Sequence, residues 1–314
     1  GVKYHEKRAM GTIDVALRND YASLFGRAGI GHVRYSNTGG STIENAQPIE
    51  GVFRSVPFWI AHNGNLVNTD TLRSECEKKG YFFRTGTDTE VIAALIYFNE
   101  SHNFEDAVRQ ALAEVKGTYS LTILYKDTVY GIRDISGNRP LVFGEGRGIR
   151  VLASESVACD VLGVKYVSDV FPGEIVTLAS GTSKTYLDKI SYNAVGALDT
   201  QKFCIFEYVY FFRPDSRFDG RRVKNVQIQI GRNLWKESPV EADIVVPVLD
   251  SGKFHALGLS RESGLPLEEA LFRSHYVGRT FIEPSQERRE KGMRIKLNPI
   301  YEDIEGKRVV VVDD

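Results

Sequence analysis

An Asn-Gly pair at positions 63 and 64 places two hydrogen-bond donors side by side, directly after an apolar run at 56–61. Asn63 offers a side-chain amide and Gly64 an unobstructed backbone N–H. Two such donors aimed at one point stabilise the charge that develops when a carbonyl carbon is attacked. The same pair is also typical of an ordinary hairpin turn, because Asn and Gly tolerate unusual backbone angles. We predict a strand that stops at a tight turn at 62–64, and its neighbours decide between the two interpretations.

Two charged residues are candidates for holding an amino acid. Arg34 ends a predicted half-buried strand at 29–35, and its guanidinium can hold a carboxylate through two parallel hydrogen bonds. Asp88 precedes an apolar helix predicted at 91–98, where it could receive a substrate ammonium. The alternatives are a surface salt bridge for Arg34 and a helix N-cap for Asp88.

A second group of polar residues follows two apolar strands near the end of the chain. Ser251 lies in the Asp-Ser-Gly loop after the apolar run 242–249, and Asp313 with Asp314 follows four consecutive valines. A strand, a small polar loop and a helix start form a natural anion site. Carboxylates at the end of a parallel strand face the crevice where α/β sheets bind ligands, and they suit ribose hydroxyls and Mg²⁺. The alternative is that a strand-end Asp only caps the next loop.

The elements that must position these residues fall into two groups. Helices predicted near 70–79, 91–98 and 103–114 lie among strands at 119–125, 128–133, 149–153 and 174–178. This order suggests an α+β domain with two stacked sheets covered by helices. Residues 181–200 are polar and lack periodicity, so we place the domain boundary between 198 and 199. A helix near 225–236 and the runs 242–249 and 308–314 then indicate an α/β domain with parallel strands.

Composition excludes several classes of protein. The 314 residues carry 40 Lys plus Arg against 41 Asp plus Glu, which argues against nucleic-acid binding through a basic field. No apolar run approaches the roughly 18 residues of a membrane helix. The three cysteines are far apart, so we expect no disulfide framework and a cytoplasmic location. The chain starts without Met and ends in an apolar strand, which predicts that both ends of a longer chain are missing.

Five motifs of the first half, in their order and spacing, resemble the glutaminase domain of the N-terminal-nucleophile amidotransferases: 31–35 (GHVRY), 61–66 (AHNGNL), 88–90 (DTE), 134–140 (DISGNRP) and 154–155 (SE). The resemblance implies an αββα sandwich in which Arg34 binds the glutamine α-carboxylate and Asp88 its α-ammonium. Asn63 and Gly64 would bind the oxyanion. The nucleophile of that family is an N-terminal cysteine whose own amino group is the base, and none of Cys76, Cys159 and Cys204 is N-terminal.

The second half resembles the type I phosphoribosyltransferases, and the run 276–281 (YVGRTF) is similar to the amidophosphoribosyltransferase family. The resemblance implies that Asp313, Asp314, Ser251 and Arg279 bind phosphoribosyl pyrophosphate (PRPP). Asp313, Asp314 and Ser251 would also hold Mg²⁺. In some relatives a cysteine at the position of Cys204 ligates a 4Fe–4S cluster, although one cysteine cannot hold a cluster by itself. The alternative for Cys204 is a buried structural thiol.

The function that the resemblance implies is an enzyme of purine biosynthesis that transfers ammonia from glutamine to PRPP. Its products would be 5-phosphoribosylamine, glutamate and pyrophosphate. Purine nucleotide inhibitors and a homo-oligomer are further expectations. One alternative is another type 2 glutamine amidotransferase, such as a sugar-phosphate aminating enzyme. A second alternative is a non-catalytic relative that binds PRPP or glutamine and lacks the nucleophile.

Overall fold

The computed structural model describes residues 3–18, 20–34, 40–179, 190–191, 201–274 and 297–314. These residues form two compact units, Gly1–Cys204 and Ile205–Asp314. The predicted boundary between 198 and 199 lies outside the described residues.

The elements of the first unit follow the predicted order. They are α1 (Ile13–Ala16), β1 (Ile49–Phe53), β2 (Val56–Leu66), α2 (Thr69–Lys78), α3 (Thr89–Phe98), α4 (Phe104–Glu114), β3 (Gly117–Tyr125), β4 (Thr128–Arg133), β5 (Val142–Gly146), β6 (Ile149–Ala153), α5 (Val157–Leu162), β7 (Lys165–Asp169), β8 (Glu174–Ala179) and β9 (Ile190–Ser191). Two short 3₁₀ turns occur at Tyr21–Ser23 and Ile43–Asn45.

Two sheets lie one on the other in this unit. The larger has the strand order β1-β2-β3-β4-β8-β9, and the smaller has the order β6-β5-β7. Leu152 of β6 packs with Val176 and Leu178 of β8, so apolar residues of both sheets share one cluster. The predicted pair of stacked sheets is therefore present in the described residues.

Helices α2, α3 and α4 cover the larger sheet. Helix α3 is apolar on every side and is buried from Thr89 to Ile96, as expected for a helix enclosed by its neighbours. It packs with β1 and β2 in the main core, together with Phe58, Ile60 and Leu121 of the strands. At the start of this helix, Asp88 contacts Leu66 and Thr89 contacts His62, both in β2.

The turn at 134–140 is held from inside by a buried arginine. Arg133 is 1% exposed, and its guanidinium donates to the carbonyl oxygens of Arg139 (2.7 Å), Gly137 (2.7 Å) and Val170 (2.8 Å). Hydrogen bonds to all sides of a planar guanidinium fix the loop that it enters.

The second unit contains a pair of parallel strands with helices. Its elements are β10 (Arg217–Phe218), β11 (Arg221–Arg222), α6 (Val223–Glu237), β12 (Ile244–Pro247), α7 (Lys253–Ser263), β13 (Leu271–Arg273), β14 (Leu297–Pro299), α8 (Tyr301–Ile304) and β15 (Val309–Val312). Strands β12 and β15 pair in parallel, from Ile244 with Val309 to Pro247 with Val312. This confirms the parallel strands expected from the valine runs.

Two predicted elements were wrong in shape. Strand β2 continues through residues 62–64 to Leu66, so neither the tight turn nor the hairpin forms there. Residues 29–34 belong to no strand, because no described strand pairs with them. The aromatic segment 203–216 holds a π-helical turn, Glu207–Phe211, and Tyr208 is buried while Phe206 and Phe211 are exposed.

Candidate active site

On one edge of β2 no described strand pairs with the last six residues, and this stretch is called the open edge. Strand β1 pairs with β2 only as far as Ile60, whereas β3 follows β2 on its other side to Leu66. Beyond Ile60 the backbone groups on the β1 side are therefore available to side chains and ligands. The N–H of His62 donates to Oε1 of Gln47 at 2.6 Å, and the N–H of Leu66 donates to Oδ2 of Asp88 at 3.1 Å.

The amide of Gly64 lies between these two engaged amides. Backbone N–H groups of a strand alternate between its two edges, so the N–H of Gly64 points to the same open edge as those of His62 and Leu66. A Cβ at position 64 would lie 2.0 Å from the carbonyl oxygen of Thr118, a distance that no side chain tolerates. Glycine is thus required here for close packing of the strand and not for a turn.

A cavity of about 390 Å³ opens at this edge, and it is lined by the four residues that were predicted to bind glutamine. Its described lining is Gly31, His32, Val33, Arg34, Gln47, His62, Asn63, Gly64, Thr87, Asp88 and Ser154. The structure therefore brings Arg34, Asn63, Gly64 and Asp88 to one cavity. Among the described residues that line it there is no cysteine.

Asp88 occupies the N-cap position of α3 but makes no side-chain capping hydrogen bond. Its carboxylate instead binds the amide of Leu66, and its Oδ1 lies 3.5 Å from Nδ1 of His62. Burial by itself would raise the pKa of Asp88, but the imidazole of His62 and the Leu66 amide together hold that pKa below its usual value. A carboxylate that stays charged inside a cavity is suited to bind an ammonium group.

The loop that carries Asp88 is fixed by a buried glutamate. Glu90 is fully buried and accepts hydrogen bonds from the amides of Arg84 (2.9 Å) and Thr85 (2.7 Å). The amide of Gly86 donates to Oδ1 of Asn45 at 2.9 Å. These contacts hold the loop in place before a ligand arrives, which limits the ordering cost of binding.

Arg34 and His32 lie on the segment that faces this loop across the cavity. Nη1 of Arg34 donates to the carbonyl oxygen of Gly40 at 3.2 Å. Nε2 of His32 lies 3.1 Å from the carbonyl oxygen of His62, so this nitrogen carries the proton. Burial lowers the pKa of His32 to about 4, and its ring is neutral at pH 7.

The second unit brings the two polar loops together at the ends of its parallel strands. Oγ of Ser251 donates to Oδ1 of Asp313 at 3.3 Å. A Cβ at Gly252 would lie 2.2 Å from the carbonyl oxygen of Val312, so the loop after β12 rests directly on the end of β15. Burial, and then the hydrogen bond and charge of Asp313, raise the pKa of Asp314.

The remaining predictions concern Arg279, a metal or cluster site, and the membrane. Arg279 lies outside the described residues. Cys204 is a half-buried free thiol, and the part of the chain that the structure describes holds no group of three or more His, Cys, Asp or Glu residues suited to a metal. No described helix is both long enough and apolar enough to cross a membrane.

Sequence reasoning missed much of the cavity. Gln47, Thr87, Ser154, His32 and His62 line it, yet none of them was assigned a role in binding or catalysis. His32, His62 and Ser154 stood inside the motifs 31–35, 61–66 and 154–155, and these positions were the available signal. No sequence signal marked Gln47, because its contact with the N–H of His62 depends on a strand edge that only the folded chain creates.

Comparison with known proteins identifies the family. A glutamine amidotransferase domain matches residues 32–160. The amidophosphoribosyltransferase of Methanocaldococcus jannaschii is 42% identical over 327 residues, which cover 100% of this chain and 69% of that protein. The chain belongs to the amidophosphoribosyltransferase family. Another member, from Methanothermobacter thermautotrophicus, is 44% identical over 311 residues, and this chain spans 64% of its length.

Solved amidophosphoribosyltransferase-type structures share the fold. One is the PRPP amidotransferase of B. subtilis complexed with ADP and GMP, with a TM-score of 0.77 and 38% identity over 90% of this chain and 60% of that chain. A second is described as the allosteric regulatory enzyme of purine biosynthesis, with a TM-score of 0.85 and 39% identity over 97% of this chain and 64% of that one.

Proposed function

We propose that this protein transfers ammonia from glutamine to PRPP, as the name of its family describes. Glutamine and water give glutamate and ammonia in the first unit. Ammonia then displaces pyrophosphate from C1 of PRPP and gives 5-phosphoribosylamine. The observation that carries the proposal is the cavity at the open edge of β2, where Arg34, Asn63, Gly64 and Asp88 meet.

Each of these residues has a role that follows from its chemistry. Arg34 binds the α-carboxylate of glutamine, and Asp88, which the lowered pKa keeps charged, binds the α-ammonium. The amide of Gly64 and the side chain of Asn63 stabilise the oxyanion. The nucleophile is the N-terminal cysteine of the family, and the fold of this unit is its αββα sandwich.

The second unit supplies the phosphoribosyl site. Asp313, Asp314 and Ser251 would bind PRPP and hold Mg²⁺ at the end of β15, and Arg279 would contribute a positive charge to the PRPP site. Carboxylate and hydroxyl oxygens are suitable donors for Mg²⁺, which usually takes one or two carboxylates and completes its shell with phosphate and water. When bound, Mg²⁺ neutralises the leaving pyrophosphate. The contact between Ser251 and Asp313 supports this fit.

The proposal extends to regulators and partners. Purine nucleotides act as inhibitors, by analogy with the B. subtilis structure that contains ADP and GMP, and the protein forms a homo-oligomer. Cys204 remains a candidate ligand of a 4Fe–4S cluster, with its other ligands to be supplied elsewhere in the protein.

The test uses the product of the complete gene. We expect glutamate release from glutamine, and pyrophosphate release from PRPP that requires glutamine or ammonia together with Mg²⁺. Parallel assays with fructose 6-phosphate should show no amination. Amination of fructose 6-phosphate in place of PRPP would support the sugar-phosphate alternative. Binding of both ligands without turnover would support the non-catalytic one.

A further inference from the structure

His62 lies beside both Asp88, at the candidate ammonium site, and Gly64, at the candidate oxyanion site. It is not one of the groups assigned to the substrate. Its side chain is 1% exposed. Nδ1 lies 3.5 Å from Oδ1 of Asp88, and Nε2 lies 3.5 Å from the carbonyl oxygen of Thr118. One ring nitrogen therefore faces the candidate ammonium site and the other faces the neighbouring strand.

The Nε2 side of the ring also lies against Gly64. Side chains of residues two apart on a strand share a face, so the imidazole occupies the space next to the missing side chain of residue 64. A Cβ on Gly64 would lie 2.6 Å from Nε2 of His62. The ring thus fills the space behind the backbone whose N–H points to the open edge.

The ring itself cannot easily move. The backbone N–H of His62 donates to Gln47 at 2.6 Å, and its carbonyl oxygen lies 3.1 Å from Nε2 of His32. Oγ1 of Thr89 lies 3.3 Å from Nδ1, and this hydroxyl also accepts from Nε2 of Gln47 at 3.2 Å. Backbone and imidazole are therefore fixed by one connected set of hydrogen bonds.

We infer that His62 is a positioning residue that sets two subsites at once: through Nδ1 it orients the Asp88 carboxylate for the substrate ammonium, and through Nε2 it supports the Gly64 amide for the oxyanion. This inference rests on the proposed glutaminase function. The ammonium is bound equally in the ground and transition states, so loss of the Nδ1 contact acts on KM. The oxyanion exists only after attack, so loss of the Nε2 contact acts on kcat.

Two amide variants separate the two contacts. In His62→Asn the side-chain N–H can take the place of Nδ1, whereas in His62→Gln it can take the place of Nε2. For glutaminase activity of the complete gene product, we expect His62→Asn to keep KM within about twofold and to lower kcat about tenfold. We expect His62→Gln to keep kcat within about twofold and to raise KM about tenfold. The matched control is His102→Asn, which replaces an exposed histidine outside the cavity lining.

A second measurement does not depend on turnover. Selective ¹³C labelling of aspartate follows the titration of Asp88 by NMR. The other charged or titratable residues in the described lining of this cavity are His32, Arg34 and His62 itself. The titration should move to higher pH in His62→Gln and stay near the wild-type position in His62→Asn.

The outcomes separate the inference from the function on which it rests. A wild-type protein that releases no glutamate contradicts the proposed function, while the Asp88 titration still tests the Nδ1 contact. An active wild type with unchanged variants overturns the inference. A lower kcat and a higher KM of equal size in both variants, together with a lowered melting temperature, would also overturn it, because these effects indicate a purely structural role.

Discussion

Oδ2 of Asp88 accepts the backbone N–H of Leu66 at 3.1 Å, so the first residue before α3 is joined to the last residue of β2. This hydrogen bond fixes the carboxylate at the mouth of the cavity and takes it away from the helix end that it would otherwise cap. A substitution that removes the charge of Asp88 and keeps the shape of its side chain is the direct test of the role of this carboxylate.

We expect Asp88→Asn to weaken L-glutamine binding about 30-fold, equivalent to about 2 kcal/mol, because a buried charge partner of the ammonium is lost. Isothermal titration calorimetry on the chain measures this effect. Asp106→Asn, at an exposed carboxylate in the first turn of α4, is the control. Equal affinities for the wild type and Asp88→Asn would exclude Asp88 from the ammonium site.

Acidification tests the same carboxylate. Because the folded-state pKa of Asp88 is lowered, the group stays charged below the pH at which an ordinary aspartate is protonated, and its contribution is lost only as the pH falls through that lowered value. Glutamine affinity should therefore persist into the acidic range. A loss of affinity centred at the ordinary pKa of aspartate would argue against the hydrogen bonds described for Asp88.

Gly64→Ala should reduce glutaminase kcat by at least about 100-fold, since a Cβ cannot fit 2.0 Å from the Thr118 carbonyl oxygen and the amide must shift away from the oxyanion. Gly26→Ala is the matched control, because its Cβ would make an ordinary contact at 3.5 Å. Steady-state kinetics and a melting curve on each variant give the result. Activity near the wild-type level in Gly64→Ala would remove this amide from the mechanism.

Asp313→Asn in the complete gene product should abolish ammonia-dependent phosphoribosylamine synthesis and leave glutamate release intact. The carboxylate lies beside Ser251 at the end of β15, and its loss removes a ligand for ribose or Mg²⁺. Glu305→Gln, an exposed site in the same unit, controls for the change in charge. Full synthase activity in Asp313→Asn would refute the phosphoribosyl site proposed here.

His32 should make folding stability depend on pH. Its pKa is about 4 in the folded chain and 6.5 in its ordinary state, so between these values the unfolded chain binds a proton that the folded chain does not. Stability is then complete above pH 6.5 and falls towards pH 4, with a contribution of at most about 3 kcal/mol from this residue.

The variant His32→Gln keeps a donor for the His62 carbonyl and removes the titration. Urea unfolding between pH 4 and pH 7 should show a smaller pH dependence in this variant than in the wild type, whereas exposed His102→Gln should not differ from the wild type. Identical slopes in all three proteins would show that His32 titrates normally in the folded state.

Local patterns predicted most of the elements. The Asn103 cap of α4, whose Oδ1 accepts from Glu105 at 2.9 Å, and the valine run of β15 act through neighbours in sequence, so the sequence contains the whole signal. Arg133 shows the limit of prediction from local patterns, because its burial depends on carbonyl groups up to 37 positions away. No sequence pattern marks an arginine for the interior.

The four candidate site residues were predicted to lie together, whereas the backbone at Gly64 was predicted wrongly. Arg34, Asn63, Gly64 and Asp88 do meet at one cavity, but Gly64 lies in a continuous strand. A glycine that avoids a clash and a glycine that makes a turn have the same sequence signature. The difference depends on Thr118, which approaches only when β3 pairs with β2.

The hydrogen bonds made by the amides of His62 and Leu66 also hinder aggregation through this strand edge. An exposed strand edge invites a strand of another molecule to add to the sheet, and natural proteins block such edges. A strand that adds to this edge needs a free N–H group on every second residue of β2. The N–H groups of His62 and Leu66, on either side of Gly64, already donate to the side chains of Gln47 and Asp88. The edge can thus accept one small ligand oxygen while it resists intermolecular sheet growth and aggregation.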